Sequence, residues 1–190
     1  MPSDVQIVNM ALRRLRVSPI TSIGEDSEPG AWASAVYAAC RDEVLVGHAW
    51  NFAVKRASLA ADPTAPAWGY DYRYTLPTDC LRVWRLDGEL EGIAGPYRVE
   101  GRYILTDDSA PLLIEYISQA TDAGIYPPLF VNALVARLAL EGAYGLTGSG
   151  TREGDLRGAY FQAMADARRA DSQEGTPEDF NANQWIEARL

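Results

Sequence analysis

The stretch PPLFVNALVARLALEGAYGL, Pro127 to Leu146, limits most sharply what this chain can fold into. Phe130, Leu134 and Leu138 recur at helical spacing and mark one stripe. Val131, Val135 and Leu140 spread apolar character round the other sides. Charge enters only at Arg137 and Glu141, spaced so that a helix brings them into pairing range. A helix that is apolar nearly all round must be buried on most sides. The pattern predicts a central helix with other helices packed around it.

Two helices are expected ahead of it. Ser3 is a good N-cap, and Gln6 three residues on completes a capping box. Val5, Val8, Leu12 and Leu15 follow at helical spacing, and Arg13, Arg14 and Arg16 fall in the last turns, where they suit the helix dipole. Ser18-Pro19 ends this helix. The second begins near Asp26 or Ser27, with Pro29 in its first turn. Trp32, Val36, Cys40 and Val44 recur every four residues as its inward stripe. A fourth helix is expected from about Thr151 to Ser172, with Leu156, Tyr160, Ala163, Ala167 and Ala170 as its stripe. The predicted core comprises Trp32, Val36, Phe130, Leu134, Leu138, Leu156 and Tyr160.

Between the helical segments the period changes to two. Asn51 to Leu59 can extend as a strand. Tyr70, Tyr72 and Tyr74 alternate with Asp71 and Arg73, and Leu81, Val83 and Arg85 alternate with Arg82, Trp84 and Leu86. Tyr97 to Glu100 and Arg102 to Leu105, split by Gly101, read as a hairpin, and Leu112 to Ser118 is the last strand. Turns separate these short runs, so an antiparallel sheet is expected rather than βαβ units. The ends of such an insert must lie near each other.

The expected fold class is therefore α+β. Residues 1–50 and 123–174 supply a four-helix bundle, 51–122 an inserted antiparallel β-rich subdomain, and 175–190 an extended C-terminal tail. Pro177, Asn181, Asn183 and the acids make the tail too polar to fold alone. It nevertheless holds Phe180, Trp185, Ile186 and Leu190. Those residues either dock on a partner, with Trp185 as anchor, or Trp185 folds back on its own bundle.

Charge narrows the functions available. The formal net charge is −9. Between Asp62 and Asp122 five arginines face eleven acids, and Lys55 is the only lysine in the chain. A chain that grips nucleic acid should carry a basic patch, whereas this one repels phosphate over most of its surface. No apolar run is long enough to span a bilayer. The N-terminal MPSDVQIVNM has no basic segment followed by an apolar one, so no secretory leader is expected.

Residues with chemical potential are scattered. His48 is the only histidine. No nucleophile-elbow, zinc-protease, phosphate-loop or dinucleotide motif occurs. Asp107-Asp108 and Asp42-Glu43 read as turns or helix faces rather than as an acid/base pair, and Gly148-Ser149-Gly150 as a loop between helices. Cys40 and Cys80 make no metal or disulfide pattern and are expected to be buried thiols. No cofactor and no metal is expected. Trp68, Tyr70, Tyr72 and Tyr74, with Trp84, could form a stacking platform for sugars or bases. As strand residues they could equally pack against the bundle.

One set of stretches carries a resemblance. CRDEVLVGHAWNFAVKRASLA at residues 40–60 is joined by MALRRLRVSPITSI before it and by GYDYRYTLPTDCLRVWRL, VEGRYILTDDSAPLLIEYI and PLFVNALVARLALEGAYGLTGS after it. Together they resemble the tail tubular protein A family, the head-to-tail adaptors of short-tailed phages and related particles. The likeness covers nearly the whole chain and is weakest at Glu89 to Pro96 and after Gly175. It implies a structural protein of the virion neck, assembled in the host cytoplasm, and not an enzyme. About twelve copies would form a closed ring below the portal protein. The ring would continue the DNA channel, pass DNA without specific binding, and support a downstream tail or nozzle protein. C-terminal segments of such adaptors reach the portal, which would place Phe180, Trp185, Ile186 and Leu190 at a portal or neighbour-subunit interface. The alternative is a binding module of the same particle, for fibre attachment or glycan binding through the aromatic β region.

Overall fold

The computed structural model describes residues 2–87, 95–148 and 153–174. The chain divides into a helical unit, Met1–Ala53 with Gln119–Glu174, and a β unit, Val54–Ser118.

In the helical unit, α1 spans Asp4–Leu15. Its N-terminus is closed by the reciprocal capping box: Gln6 N–H donates to Ser3 Oγ at 3.3 Å, and Ser3 N–H donates to Gln6 Oε1 at 2.9 Å. Arg16 ends it in the left-handed region, φ 63°. Helix α2 spans Glu28–Val46 with Ser27 as N-cap and proline in its first turn. Helix α3 spans Pro128–Gly145 and packs against α1, α2 and a fourth helix, α4, Glu153–Asp171. Phe130, Leu134 and Leu138 are fully buried, as α3's apolar surround requires. Arg137 reaches Glu141 and, on α2, Glu43, each at 2.8 Å.

The inward stripes of the flanking helices match the expected ones in part, at Cys40 and Val44 on α2 and at Ala163 and Ala167 on α4. On α2 the buried residues include Ala33, Tyr37, Cys40 and Val44, while Trp32 and Val36 are half-buried. Strict four-residue spacing advances about 40° per step around a helix of 3.6 residues per turn, so such a stripe drifts off the inward face. The line followed instead steps by four, three and four. On α4 the buried residues are Ala163, Met164, Ala167 and Asp171, and Leu156 and Tyr160 are half-buried. The expected start of this helix at Thr151 lies outside the described residues.

Gly142 explains how α3 accepts its neighbours so closely. A Cβ there would meet Leu15 Cδ1 at 2.8 Å, Trp32 Cζ2 at 3.0 Å and Leu146 Cδ1 at 3.3 Å. The space that a side chain would occupy is filled from α1, from α2 and from Leu146 just past the end of α3.

The β unit holds two antiparallel three-stranded sheets. The first has the order β1 (Val54–Leu59), β6 (Leu112–Ser118), β3 (Cys80–Leu86). The second has β2 (Tyr72–Thr75), β5 (Tyr103–Thr106), β4 (Tyr97–Glu100). Val54 pairs with Ile117 and Leu59 with Leu112, so the two ends of the insert lie side by side. Tyr74, Leu86, Ile104, Ile114 and Tyr116 form a core of the unit's own. Tyr74 is therefore satisfied inside the β unit, with its hydroxyl donating to Asp108 O at 2.8 Å. Trp68 and Tyr70 fall before β2 rather than within it. The protein is thus mixed α+β.

Candidate functional site

Three places in the described residues gather groups that could act on a ligand or partner. The first surrounds His48. Helix α2 ends at Val46, and the chain then turns through Gly47, His48 and Trp50. The buried Trp50 indole donates Nε1–H to Val44 O at 2.9 Å, which fixes this turn on the helix it leaves. His48 stands edge-on to Trp50, ring centroids 4.8 Å apart, and its Nε2 lies 3.0 Å from Asp171 Oδ2.

A histidine oriented by a buried carboxylate is half of a catalytic triad, yet the remaining contacts describe a fastener. Asp171 Oδ1 accepts from Asn51 N–H at 3.0 Å, Asn51 Nδ2 donates to Asp171 O at 2.7 Å, and Arg168 donates to Gly47 O at 2.6 Å. These bonds tie the last turns of α4 to the chain leaving α2. Among the described residues no hydroxyl or thiol hydrogen-bonds to His48.

The second place is a groove of about 510 Å³ between α1 and α3. Its floor is apolar, with Met10, Tyr126, Val131 and Val135 contributing, and Arg13, Arg14 and Asn132 stand at it. Tyr126 is held by its hydroxyl, which donates to Ala120 O at 2.7 Å, and burial pushes that hydroxyl's pKa up to about 12. Arg14 donates to Asn132 Oδ1, and partial burial lowers the pKa of its guanidinium from the usual value. Among the described residues neither Arg13 nor Arg14 has a carboxylate in ion-pair range. Arg41, Arg56, Arg73, Arg85, Arg98 and Arg137 each have one. Sequence reading assigned Arg13 and Arg14 to the helix dipole and missed the groove. The only signal was that Met10, Val131 and Val135 are apolar positions off the main inward stripes.

The third place is aromatic. Trp68 is 83% exposed and Trp84 46%, with the Arg82 guanidinium 5.4 Å from the Trp84 ring centroid. Tyr72 is half-buried, and Tyr74 is unavailable in the core. The expected platform of consecutive aromatics is therefore broken up.

Other sequence candidates resolve as structural groups. Asp107 Oδ1 accepts from Asp71 N–H and Asp108 Oδ2 from Gly95 N–H, both at 3.0 Å, so this acidic pair closes loops. Asp42 pairs with Arg41 and accepts from Gln119, and Glu43 pairs with Arg137. Cys40 and Cys80 are buried free thiols, and burial raises the Cys40 pKa to about 11. Among the described residues no cluster of histidine, cysteine and carboxylates could hold a metal ion. No described helix is long and apolar enough to cross a membrane. The expected interface residues Phe180, Trp185, Ile186 and Leu190 lie outside the described residues, as does Ser149 of the Gly148–Gly150 loop. No protein-family model matches the chain, and no curated protein matches it.

Proposed function

We propose that this chain is a structural head-to-tail adaptor of a tailed phage or phage-like particle. The observation that carries the reading is the ordered set of stretches quoted above, which resemble the tail tubular protein A family and extend over both units. In this reading α1 to α4 act as a four-helix bundle that assembles, in about twelve copies, into a closed ring below the portal. The β unit serves the downstream tail or nozzle protein. The C-terminal segment, through Phe180, Trp185, Ile186 and Leu190, contacts the portal or a neighbouring subunit.

Physical support comes from charge and from side chains left uncovered. The net charge of −9 suits a channel wall along which DNA slides without sticking. Met10 on α1, Leu129 and Tyr144 on α3 and Phe161 on α4 are large and exposed, Tyr144 at 72% and Phe161 at 62%. Apolar groups of this size become productive when neighbouring copies cover them.

Native mass measurement and particle imaging, with and without portal, test the proposal. The expected result is a monomer or weak associate alone and a ring on the portal axis when portal is present. Stable rings in dilute solution without portal, or a location at the particle periphery, would count against it. A finer test removes the residues after Gly175 or makes Trp185→Ala. Each variant should stay folded by circular dichroism yet fail to attach to portal-containing heads.

The exposure of Trp68 and Trp84 favours a second reading, a binding module that stacks sugar rings. A glycan array probed with the wild type and with Trp68→Ala separates it from the first. Saturable binding lost in the variant would establish the module.

A further inference from the structure

We propose that the groove between α1 and α3 receives the outer face of α2 from a second copy of this chain, so that neighbouring copies join groove to ridge. The inference rests on the adaptor reading in one respect, that copies stand side by side, and names the two surfaces that meet.

The outer face of α2 lacks what a water-facing helix usually carries. Opposite its buried line of Ala33, Tyr37, Cys40 and Val44, the exposed positions are Ala31, Ser34, Ala35, Ala38 and Ala39. At 3.6 residues per turn these fall on one face about 140° wide. No charged side chain interrupts them, although a surface helix ordinarily sets charged groups on its outer side. Side chains this small make a low ridge, and the spacing between packed helices is set by the side chains at the contact.

Charge points to the groove as the partner of this ridge. Asp26 and Glu28, at the start of the ridge, are exposed, and among the described residues neither has a cation in ion-pair range. Their neighbour Glu25 is already engaged by Thr21, Ser22 and Ser27. The groove has the opposite sign, with Arg13 and Arg14 lacking carboxylate partners among the described residues. Two open acids beside a convex apolar strip thus answer two open arginines beside a concave one.

Size and direction agree. Ala31 to Ala38 rises about 10 Å along the helix axis, and Pro128 to Val135, the wall that α3 gives the groove, has the same rise. Helix α2 turns its buried line towards α3 and α1, so its outer face points away from its own chain's groove. Another copy must meet it. Because the two surfaces differ, the contact is head-to-tail, the kind that closes into a ring when the rotation allows. Each contact is modest, and a closed ring adds many of them.

Directed cross-linking of the full-length protein tests the proposal. Copies carrying Met10→Cys are mixed with copies carrying Ala35→Cys, at high concentration and again with portal, and oxidised mildly while Cys40 and Cys80 stay buried. Peptide mass mapping should find positions 10 and 35 joined between copies well above 10–10 and 35–35 pairs. Arg13→Glu with Arg14→Glu in the first copy should cut that yield several-fold while circular dichroism stays unchanged. Asp26→Arg with Glu28→Arg in the second copy should then restore it. Pairing in random proportion, or a yield indifferent to the charge reversals, would overturn the proposal. Should the variants unfold, hydrogen exchange on the wild type decides: concentrating the protein or adding portal should slow exchange in residues 10–14 and 31–39 together. Protection of the groove without the ridge would give the groove to the portal and overturn the proposal, as would no protection in either condition. Rings on the portal without the 10–35 pairing would sink this inference and leave the adaptor reading standing, whereas the pairing without rings would do the reverse.

Discussion

Asp171 Oδ2 lies 3.0 Å from His48 Nε2, and these residues are 123 positions apart in the chain. The same carboxylate takes the Asn51 amide hydrogen on its other oxygen. It is 7% exposed, so two donors would be left facing a gap without it. Asp171→Ala should therefore destabilise the helical unit by about 1–3 kcal/mol, the usual cost of orphaned buried polar groups. Asp171→Asn should cost less, since its carbonyl oxygen can still accept one of the two bonds. Urea midpoints of the two variants check the order.

Leu134 sits at 0% exposure in the middle of α3. Leu134→Ala removes buried methyl groups and leaves a cavity that three neighbouring helices cannot all close. The expected loss is about 2–5 kcal/mol. A calorimetric melting temperature equal to the wild type's would contradict the burial described here.

Two glycines should respond in opposite directions to the same substitution. At Gly142 a methyl group would press on Leu15 and on the rigid Trp32 ring, so Gly142→Ala should cost about 1–3 kcal/mol through overpacking. At Gly158 on α4 nothing lies within 4 Å. Gly158→Ala should therefore gain about 0.5–1 kcal/mol of helix propensity. Parallel thermal melts of the pair make the comparison.

Glu25 gives the loop before α2 its acid sensitivity. Its carboxylate accepts from the Thr21 hydroxyl at 2.6 Å, Thr21 N–H at 2.7 Å, Ser27 Oγ at 3.0 Å and Ser22 N–H at 3.3 Å. Those donors, the Thr21 hydroxyl foremost, hold its pKa at about 2 instead of 4.5. A depressed pKa means that the folded loop prefers the charged form. Its contribution is complete above the unfolded value and is lost as pH falls from about 4.5 towards 2. Amide exchange rates across residues 21–30, corrected for intrinsic pH effects, should rise in that window. Glu25→Gln should remove the dependence.

Duplex DNA should not bind the free protein at physiological salt. The chain carries 26 acids against 17 bases, and phosphate contacts are what supply non-specific affinity. Tight, salt-sensitive retardation of random duplex in a gel would contradict this.

Local chemistry was the most legible part of the sequence. Ser3 with Gln6, and Pro29 after Ser27, announce helix starts because capping depends on neighbours along the chain. Leu112 to Ser118 reads directly as β6, since alternation is written into consecutive residues. What a helix faces was harder to read. Trp32 and Val36 read as an inward stripe on α2 yet are only half-buried, and how closely Trp32 meets α3 depends on Gly142, far along the chain. On α4 the buried side is made of Ala163, Ala167 and Met164, so the larger Leu156 and Tyr160 were misleading guides. The groove was illegible for a related reason. Met10 and Val135 acquire meaning only when α1 lies beside α3, and the lack of a carboxylate partner for Arg13 and Arg14 among the described residues is visible only in three dimensions.

The pairing of Val54 with Ile117 has an architectural consequence. The β unit is entered and left through two strands whose first rungs are hydrogen-bonded to each other, with Cα atoms about 5 Å apart as in any antiparallel ladder. Such a doorway is narrow enough for a tight turn to bridge. Residues 54–118 are thus a cassette: excised and replaced by a short hairpin, or exchanged for another module whose termini meet, they could be swapped while the sequence that builds the helices stays the same. A lineage carrying this chain could retool the β unit by recombination at two adjacent points.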